Sequence, residues 1–435
     1  MADGAAPELG AVVLEVLDSS TGTTVRLDTW KSYRFNSNFL SKTDGWSCTL
    51  GDESISDKLI ASVKVGMKIQ LRIDNLVQGS GYIDDVEISS SRSGGTEVSI
   101  SGRDVLAPTV DACMDPTIKL TAGQTVVDLL QAVFNPFGLL IYVADNDDNR
   151  GLMTGQTRGT PTSKKGKPLK SYVLHQLKPY PNEGAFDFAS RVCQRHGLWI
   201  WPSSTGTALI VGRPSYDVGP DFYITHKRGD LGATNNVIHS TVRRSSEQQP
   251  SVIVATGFGA GGENAISNLR VIMVNELVAF DATGALQPSV AAILAKYPSA
   301  YRFPTRLNFT PPAPLKPSSD SAFFTTNTLM IDPVSRPMFL HDDESKDLDK
   351  LKNFTQREMA LRQRRALDAN YTVEGHKNNG MPWSVDCVVD VQDDISGLYE
   401  KMWILGRTFV KDRNGGTMTE LELIRQHTLD FFPPS

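Results

Sequence analysis

The chain has 435 residues, 40% hydrophobic and 21% charged, the balance of a soluble globular protein built from two to four domains. Its formal net charge of −5 excludes a sequence-independent nucleic-acid binder, which needs a basic surface. The start MADGAAPELG lacks a secretory signal and no apolar run reaches the ~20 residues of a membrane helix, so synthesis in a host cytoplasm without membrane insertion is expected.

From Ala11 to about Arg103, short alternating runs such as TVRLDTW, GWSCTLG and TEVSISG are separated by Gly, Asp, Asn and Ser clusters, which predicts an all-β barrel or sandwich over residues 1–107. Met67, Ile69, Leu71 and Ile73 share one face of a strand, and Lys68, Gln70 and Arg72 the other. Over 108–215 the period becomes helical. TAGQTVVDLLQAVFNPFG is read as a helix opened by a Thr121–Gln124 capping box. EGAFDFASRVCQRHG is a second helix, with Phe186, Ala189, Val192 and Cys193 inward and Gly197 as its stop. It leads into LWIWPSSTGTALIVGRP, two strands in which Trp199 and Trp201 bury one face in an α+β core. Residues 145–171 between the helices form a polar loop.

Strands return with NVIHSTVRR and SVIVATGFG. Residues 261–335 are rich in Pro and Ser and are read as an irregular insertion, with one helix at PSVAAILAKYP. A helix follows, acidic in its first turn and ending in RQRR, with Leu348, Leu351, Phe354 and Met359 as its apolar stripe. The closing strands YTVEGHK, WSVDCVVDVQDD, KMWILGRTFVKD and MTELELIRQ complete a second β-barrel domain, discontinuous over 216–260 and 336–428, before a tail at 429–435.

The two strand-rich regions share a pattern. YIDDVEISSSRSGGTEVSISGR and WILGRTFVKDRNGGTMTELELIR both run aromatic-Ile strand, GGT turn, alternating strand, so Gly94 and Gly95 correspond to Gly415 and Gly416. Paired glycines supply the positive φ a tight hairpin needs, and the repeat is read as a duplicated β module with the α+β domain inserted between the copies.

No constellation points to chemistry. Asp84, Asp85, Arg103 and Asp104 resemble an acid, base and clamp, but neighbours on a strand face opposite ways, so Asp84–Asp85 and Asp393–Asp394 each converge only if a bulge intervenes. GFGAGG at Gly257 fits a dinucleotide fingerprint, yet too little chain follows for a crossover helix. DNDDNRG at Asp145 misses the calcium-loop glycine and glutamate positions, and Cys193–His196 lacks a second half for zinc. The four cysteines Cys48, Cys113, Cys193 and Cys387 are far apart and read as reduced, buried thiols. No nucleophile elbow or HExxH motif is present, so no catalytic residue, metal or cofactor is expected.

Three blocks in order, GSGYIDDVEISSS…TEVSISGRDVLAPTVDACM, PNEGAFDFASRVCQRHGLWIWPSSTGTALIVGRP and ALRQRRALDANYTVEGHKNNGMPWSVDCVVDVQDD…WILGRTFVKDRNGGTMTELELI, resemble the Mu-like bacteriophage baseplate hub proteins. Asp104 stands where that family usually has Ser or Thr, and 145–171 and 261–335 are longer than its pattern. The resemblance implies a mainly β fold with two similar tube domains, and a homotrimeric ring. That ring would adapt the hexameric tail tube protein to the trimeric spike, contact other baseplate or tape-measure proteins, and pass DNA as cargo. Asp84, Asp85, Arg103 and Asp104 are then candidate ring-wall or lumen residues. A phage-derived, pyocin-like injection system uses the same hub, and a peptidoglycan-degrading tail enzyme is the reading from another class.

Overall fold

A computed structural model describes residues 11–18, 22–50, 62–92, 95–115, 124–143, 178–196, 198–203, 208–214, 219–229, 235–247, 249–257, 269–275, 279, 286–302, 336–342, 348–412, 416–426 and 428–429. The first strand set comprises β1 (Val12–Asp18), β2 (Thr23–Leu27), β3 (Ser32–Asn38), β4 (Gly45–Leu50), β5 (Lys68–Ile73), β6 (Leu76–Ser91) and β7 (Gly95–Asp104). Side-chain alternation decides their faces: in β4, Trp46, Cys48 and Leu50 are buried while Gly45 and Ser47 are exposed.

The chain then leaves the sheet through α1 (Ala107–Asp111) into α2 (Val126–Phe134), β8 (Leu140–Val143), α3 (Ala185–Arg195), β9 (Trp199–Pro202) and β10 (Ala208–Gly212). β10 lies parallel to β8 and antiparallel to β9, and Leu130, Phe134, Phe188, Val192 and Ile200 share one core. The cap of α2 is not the expected Thr121–Gln124 box. Thr125 accepts from the Asp128 backbone amide at 3.2 Å while the Asp128 carboxylate accepts from the Thr125 amide at 2.8 Å. Asp at the third helical position completes the reciprocal pair, and Thr121 lies outside the described residues.

The remaining elements are β11 (Phe222–His226), β12 (Val237–Arg244), β13 (Val252–Gly257), β14 (Leu269–Val274), α4 (Pro288–Lys296), β15 (Tyr301–Arg302), β16 (Pro337–Asp342), α5 (Leu348–Arg364), β17 (Leu367–Glu374), β18 (Lys377–Asn378), β19 (Met381–Pro382), β20 (Val388–Asp393), β21 (Leu398–Asp412) and β22 (Gly416–Arg425). β13 and β16 do not join the C-terminal strands, as the sequence reading placed them. They pair with each other in a separate sheet ordered β15-β14-β13-β16. Val252, Val254 and Ile272 pack with Val290 of α4, and Ala255 and Val271 with Leu351 of α5. Residues 261–335, expected to be irregular, thus supply β14, α4 and β15 to a layered α/β unit. The reason is the unbroken apolar run of β13, which needs cover on both faces. Residues 303–335 lie outside the described residues.

The two main strand sets form one 13-stranded sheet. The first runs β3-β4-β7-β6-β5-β1-β2, and the second β12-β17-β22-β21, extended by β20 and β11. Place for place, β3, β4, β7, β6, β5 and β1 correspond to β12, β17, β22, β21, β20 and β11. The sets differ at one end, where β1 is antiparallel to β5 but β11 is parallel to β20. They meet where β21 pairs antiparallel with β3, and one core joins Leu14, Phe35 and Ile100 to Tyr371, Trp383 and Phe409. The fold is mainly β with an α+β component.

Trp199 and Trp201 are not in the α+β core. They pack on Phe39, Trp403 and Leu405 of the large sheet, with the Phe39 ring 4.7 Å from Trp201 and 5.0 Å from Trp403. Ile200 faces the other way, so Trp-Ile-Trp buries both faces and clamps the inserted unit to the sheet. All four cysteines are free; Cys48, Cys193 and Cys387 are buried, but Cys113 is exposed, against expectation, at the exit from α1.

Candidate functional site: the junction of the two strand sets

Two long hairpins, β6–β7 and β21–β22, frame the junction. Ser91 pairs with Gly95 across one turn and Asp412 with Gly416 across the other. Gly95 and Gly416 have φ of +71° and +74°, the left-handed conformation that selects glycine. Gly94 and Gly415 lie outside the described residues. Both hairpins also slip by one residue at the same step from the turn. Ser101 pairs with Asp85 and Gly102 with Ile83; Glu422 pairs with Gly406 and Leu423 with Ile404. The extra residues are Asp84 and Leu405, and a shared bulge is a stronger mark of duplication than the shared glycines.

This bulge decides where the four singled-out polar residues go. Asp84 and Asp85 are both exposed, instead of facing opposite ways, because the extra residue breaks the alternation. Arg103 donates from Nε to Asp84 at 2.7 Å and from Nη2 to Asp111 at 2.7 Å, which ties the bulge to α1. The guanidinium holds the exposed Asp111 carboxyl below its ordinary range. Asp85 makes no ion pair among the described residues. The Asp84–Arg103–Asp111 triad orients the chain's exit into the inserted unit.

Asp104 points the other way and is 8% exposed. It accepts from Thr43 Oγ1 at 2.5 Å and from the Leu106 amide at 3.0 Å. With Asp44, Trp46, Gln78 and Arg407 it lines a cavity of about 60 Å³. Burial, more than any neighbour, pushes Asp104 up to about 6; burial and then the adjacent Asp104 charge push Asp44 up to about 7. Arg407, from β21, is 5% exposed and brought down to about 10 by burial, so it stays charged. Its guanidinium lies 3.9 Å from the Phe409 ring centroid and donates to the Gln78 carbonyl at 3.2 Å. Asp104 Oδ2, Gln78 Nε2, Trp46 Nε1 and Arg407 Nε and Nη1 have no hydrogen-bond partner among the described residues. A buried cluster of this kind fixes how the two strand sets meet.

The sequence reading singled out Asp104 but missed Asp44 and Arg407. Arg407 was detectable, as a lone cation in the inward phase of MWILGRTFV; Asp44, in a turn, gave no signal.

Other titratable groups form structural contacts. His226 Nδ1 lies 3.1 Å from Asp393 and 3.3 Å from Ser240, so one nitrogen serves both and no proton relay from serine through imidazole exists. Asp393 is buried, accepting from Tyr371 and the Ile395 amide, while Asp394 accepts from Tyr399, so that pair diverges. His376 is buried between Tyr33 Oη at 2.7 Å and Thr419 Oγ1 at 3.1 Å, and burial brings it down to about 3. Cys193 is buried in the core of the inserted unit, with its thiol pushed up by desolvation. Among the described residues no group of three or more His, Cys, Asp or Glu could hold a metal, and no helix is long and apolar enough to cross a membrane.

Comparison with known proteins agrees with this architecture. A family model described as Mu phage baseplate assembly protein GpP-like, N-terminal, matches residues 22–104, which span β2 to β7. No curated protein matches the chain. The tail protein of Neisseria meningitidis MC58 superposes with a TM-score of 0.67 at 20% identity, covering 97% of this chain and 100% of its own. The 43 kDa tail protein of prophage MuSo2 from Shewanella oneidensis gives a TM-score of 0.64 at 18% identity over 96% and 99%. Prophage tail protein gp18 from Listeria monocytogenes EGD-e gives 0.50 at 9% identity over 96% and 97%. Residues 22–104 are therefore similar to the N-terminal domain of the Mu phage baseplate GpP-like proteins, and the chain as a whole has a fold similar to that of prophage tail proteins.

Proposed function

We propose that this protein is the structural hub of a contractile-tail baseplate, acting as a homotrimeric ring. The hexameric tail tube stacks on one face of the ring, the trimeric spike docks on the other, and DNA passes through the lumen. The observation that carries this reading is the duplication: six corresponding strands in the same order, with the same turn conformation and the same bulge. A chain that presents two similar wall segments lets three copies offer six equivalent positions, which is what joining a six-fold tube to a three-fold spike requires. No bond is made or broken in this role. The rival reading, a peptidoglycan-degrading enzyme, needs a convergent acid pair or a nucleophile with its base; Asp44 and Asp104 do converge, but on a cavity of about 60 Å³ wedged between the two strand sets. Negative-stain imaging of the purified protein tests the proposal: rings of three copies with a pseudo-six-fold outline are expected, and monomers at high concentration refute it.

A further inference from the structure

The joint inside the chain is a template for a joint between chains. β21 is longer than its neighbour β20. Residues 398–403 pair with β20, and beyond the Leu405 bulge residues 406–411 pair with residues 38–33 of β3. β6 is built alike: residues 76–82 pair with β5, but beyond the Asp84 bulge Asp85–Ser91 pairs with β7 alone among the described residues. The counterpart of β3 is β12, which ends the sheet order and, among the described residues, pairs with β17 alone. Each chain thus presents half of the β21–β3 joint at each end.

From these observations, and resting on the trimeric-ring reading above, we infer that residues 85–91 of β6 pair antiparallel with residues 239–245, most of β12 and the residue after it, from a second copy. The register follows from the correspondences without adjustment. Gly416 matches Gly95, so Phe409, Thr408 and Arg407 match Ile88, Glu87 and Val86. Pairing through β4 and β17 makes Phe35, Asn36 and Ser37 match Val242, Arg243 and Arg244. Between copies, Ile88 therefore opposes Val242, Glu87 opposes Arg243 and Val86 opposes Arg244.

The chemistry of the first two pairs was not used to derive the register, and it fits. Within the chain Phe409 opposes Phe35, both buried; at the matching place Ile88 is 51% exposed and Val242 is partly buried. A long unpaired edge with an apolar residue in its inward phase is a template for the addition of another strand. Within the chain Thr408 Oγ1 donates to Asn36 Oδ1 at 3.2 Å, a polar pair whose counterpart is Glu87 with Arg243. Arg243 otherwise makes only an exposed 3.3 Å contact with Glu247, which a cross-strand carboxylate replaces at little cost. Because the contact is heterologous, it does not make a two-fold dimer; repeated with a three-fold rotation it closes the ring proposed above.

The full chain carrying Ile88→Cys and Val242→Cys in a Cys113→Ser background is oxidised mildly and run on a non-reducing gel. A ladder ending at the trimer is expected, with each single-cysteine variant uncrosslinked. By mass photometry Glu87→Arg and Arg243→Glu should each weaken assembly about tenfold, and the double reversal should restore it. A trimer that forms no crosslink and ignores the charge reversals overturns this joint and leaves the ring standing. A wild-type protein that is monomeric at every concentration overturns both.

Discussion

Asp104→Asn is expected to stabilise the protein, and by more at pH 8 than at pH 4.5. Asp104 is 8% exposed and accepts from Thr43 and Leu106, facing the charges of Asp44, Arg103 and Arg407. Burial raises it from 3.8 to about 6. Between those values the folded chain keeps a proton that the unfolded chain has released, so stability is lost as pH rises and levels off above the folded value. The whole gap amounts to about 3 kcal/mol at pH 8, of which about 1 kcal/mol is already present at pH 4.5. Asparagine keeps one acceptor for Thr43 and Leu106 and removes the buried charge, so it should gain about 3 kcal/mol at pH 8 and about 1 at pH 4.5.

Urea unfolding followed by tryptophan fluorescence at both pH values measures this, since Trp46 lines the same cavity. The readout is the difference between variant and wild type. His376, lowered to about 3, loses stability as pH falls below its ordinary value in both proteins and cancels. Asp44 is also relieved when its charged neighbour goes, which moves the difference the same way. A variant less stable than wild type by an equal margin at both pH values would refute the reasoning and make Asp104 an ionised partner of Arg407.

Gly102→Ala places a Cβ against the Tyr82 carbonyl oxygen and 2.8 Å from the Trp46 ring, so a loss of about 3 kcal/mol or more is expected in the same urea assay. Gly79→Ala, whose Cβ meets only Leu71 at 4.0 Å, should cost less than about 1 kcal/mol. Gly95→Ala and Gly416→Ala should each cost about 1–2 kcal/mol from backbone strain, and unequal losses would argue against equivalent turns. Tyr33→Phe leaves the buried His376 Nε2 without its 2.7 Å partner and should cost about 1–3 kcal/mol by thermal or urea unfolding.

The strands and helices were legible because each carries a period: alternation in β4, an apolar stripe in α3. The pairing of β13 with β16 was not, since about 80 residues separate them and nothing local in either strand names its partner. The bulge at Asp84 was also hidden. A slip in register belongs to two strands at once, while GYIDDVEI read alone is an ordinary alternating run. For the same reason no local pattern joins Asp44, Asp104 and Arg407 into one cluster: they come from the turn before β4, from β7 and from β21.

The two copies diverge where their surroundings differ. Leu405 is buried under Trp199 and Trp201, and its counterpart Asp84 is exposed beside Arg103. Arg407 enters the cavity shared with Asp104, and its counterpart Val86 is only partly buried. Phe409 meets Phe35, and its counterpart Ile88 meets solvent. In each case the second copy carries the residue suited to a neighbour inside the chain. Two of the first-copy residues, Val86 and Ile88, are nevertheless apolar and lie beyond the bulge, where β21 has β3 on the edge away from its hairpin partner and β6 has no strand on that edge among the described residues. Asp84, at the bulge, is already satisfied by Arg103 and needs no partner. Divergence therefore divides the first copy into a surface finished within the chain and one that stays apolar for want of a neighbour, and the division falls at the bulge.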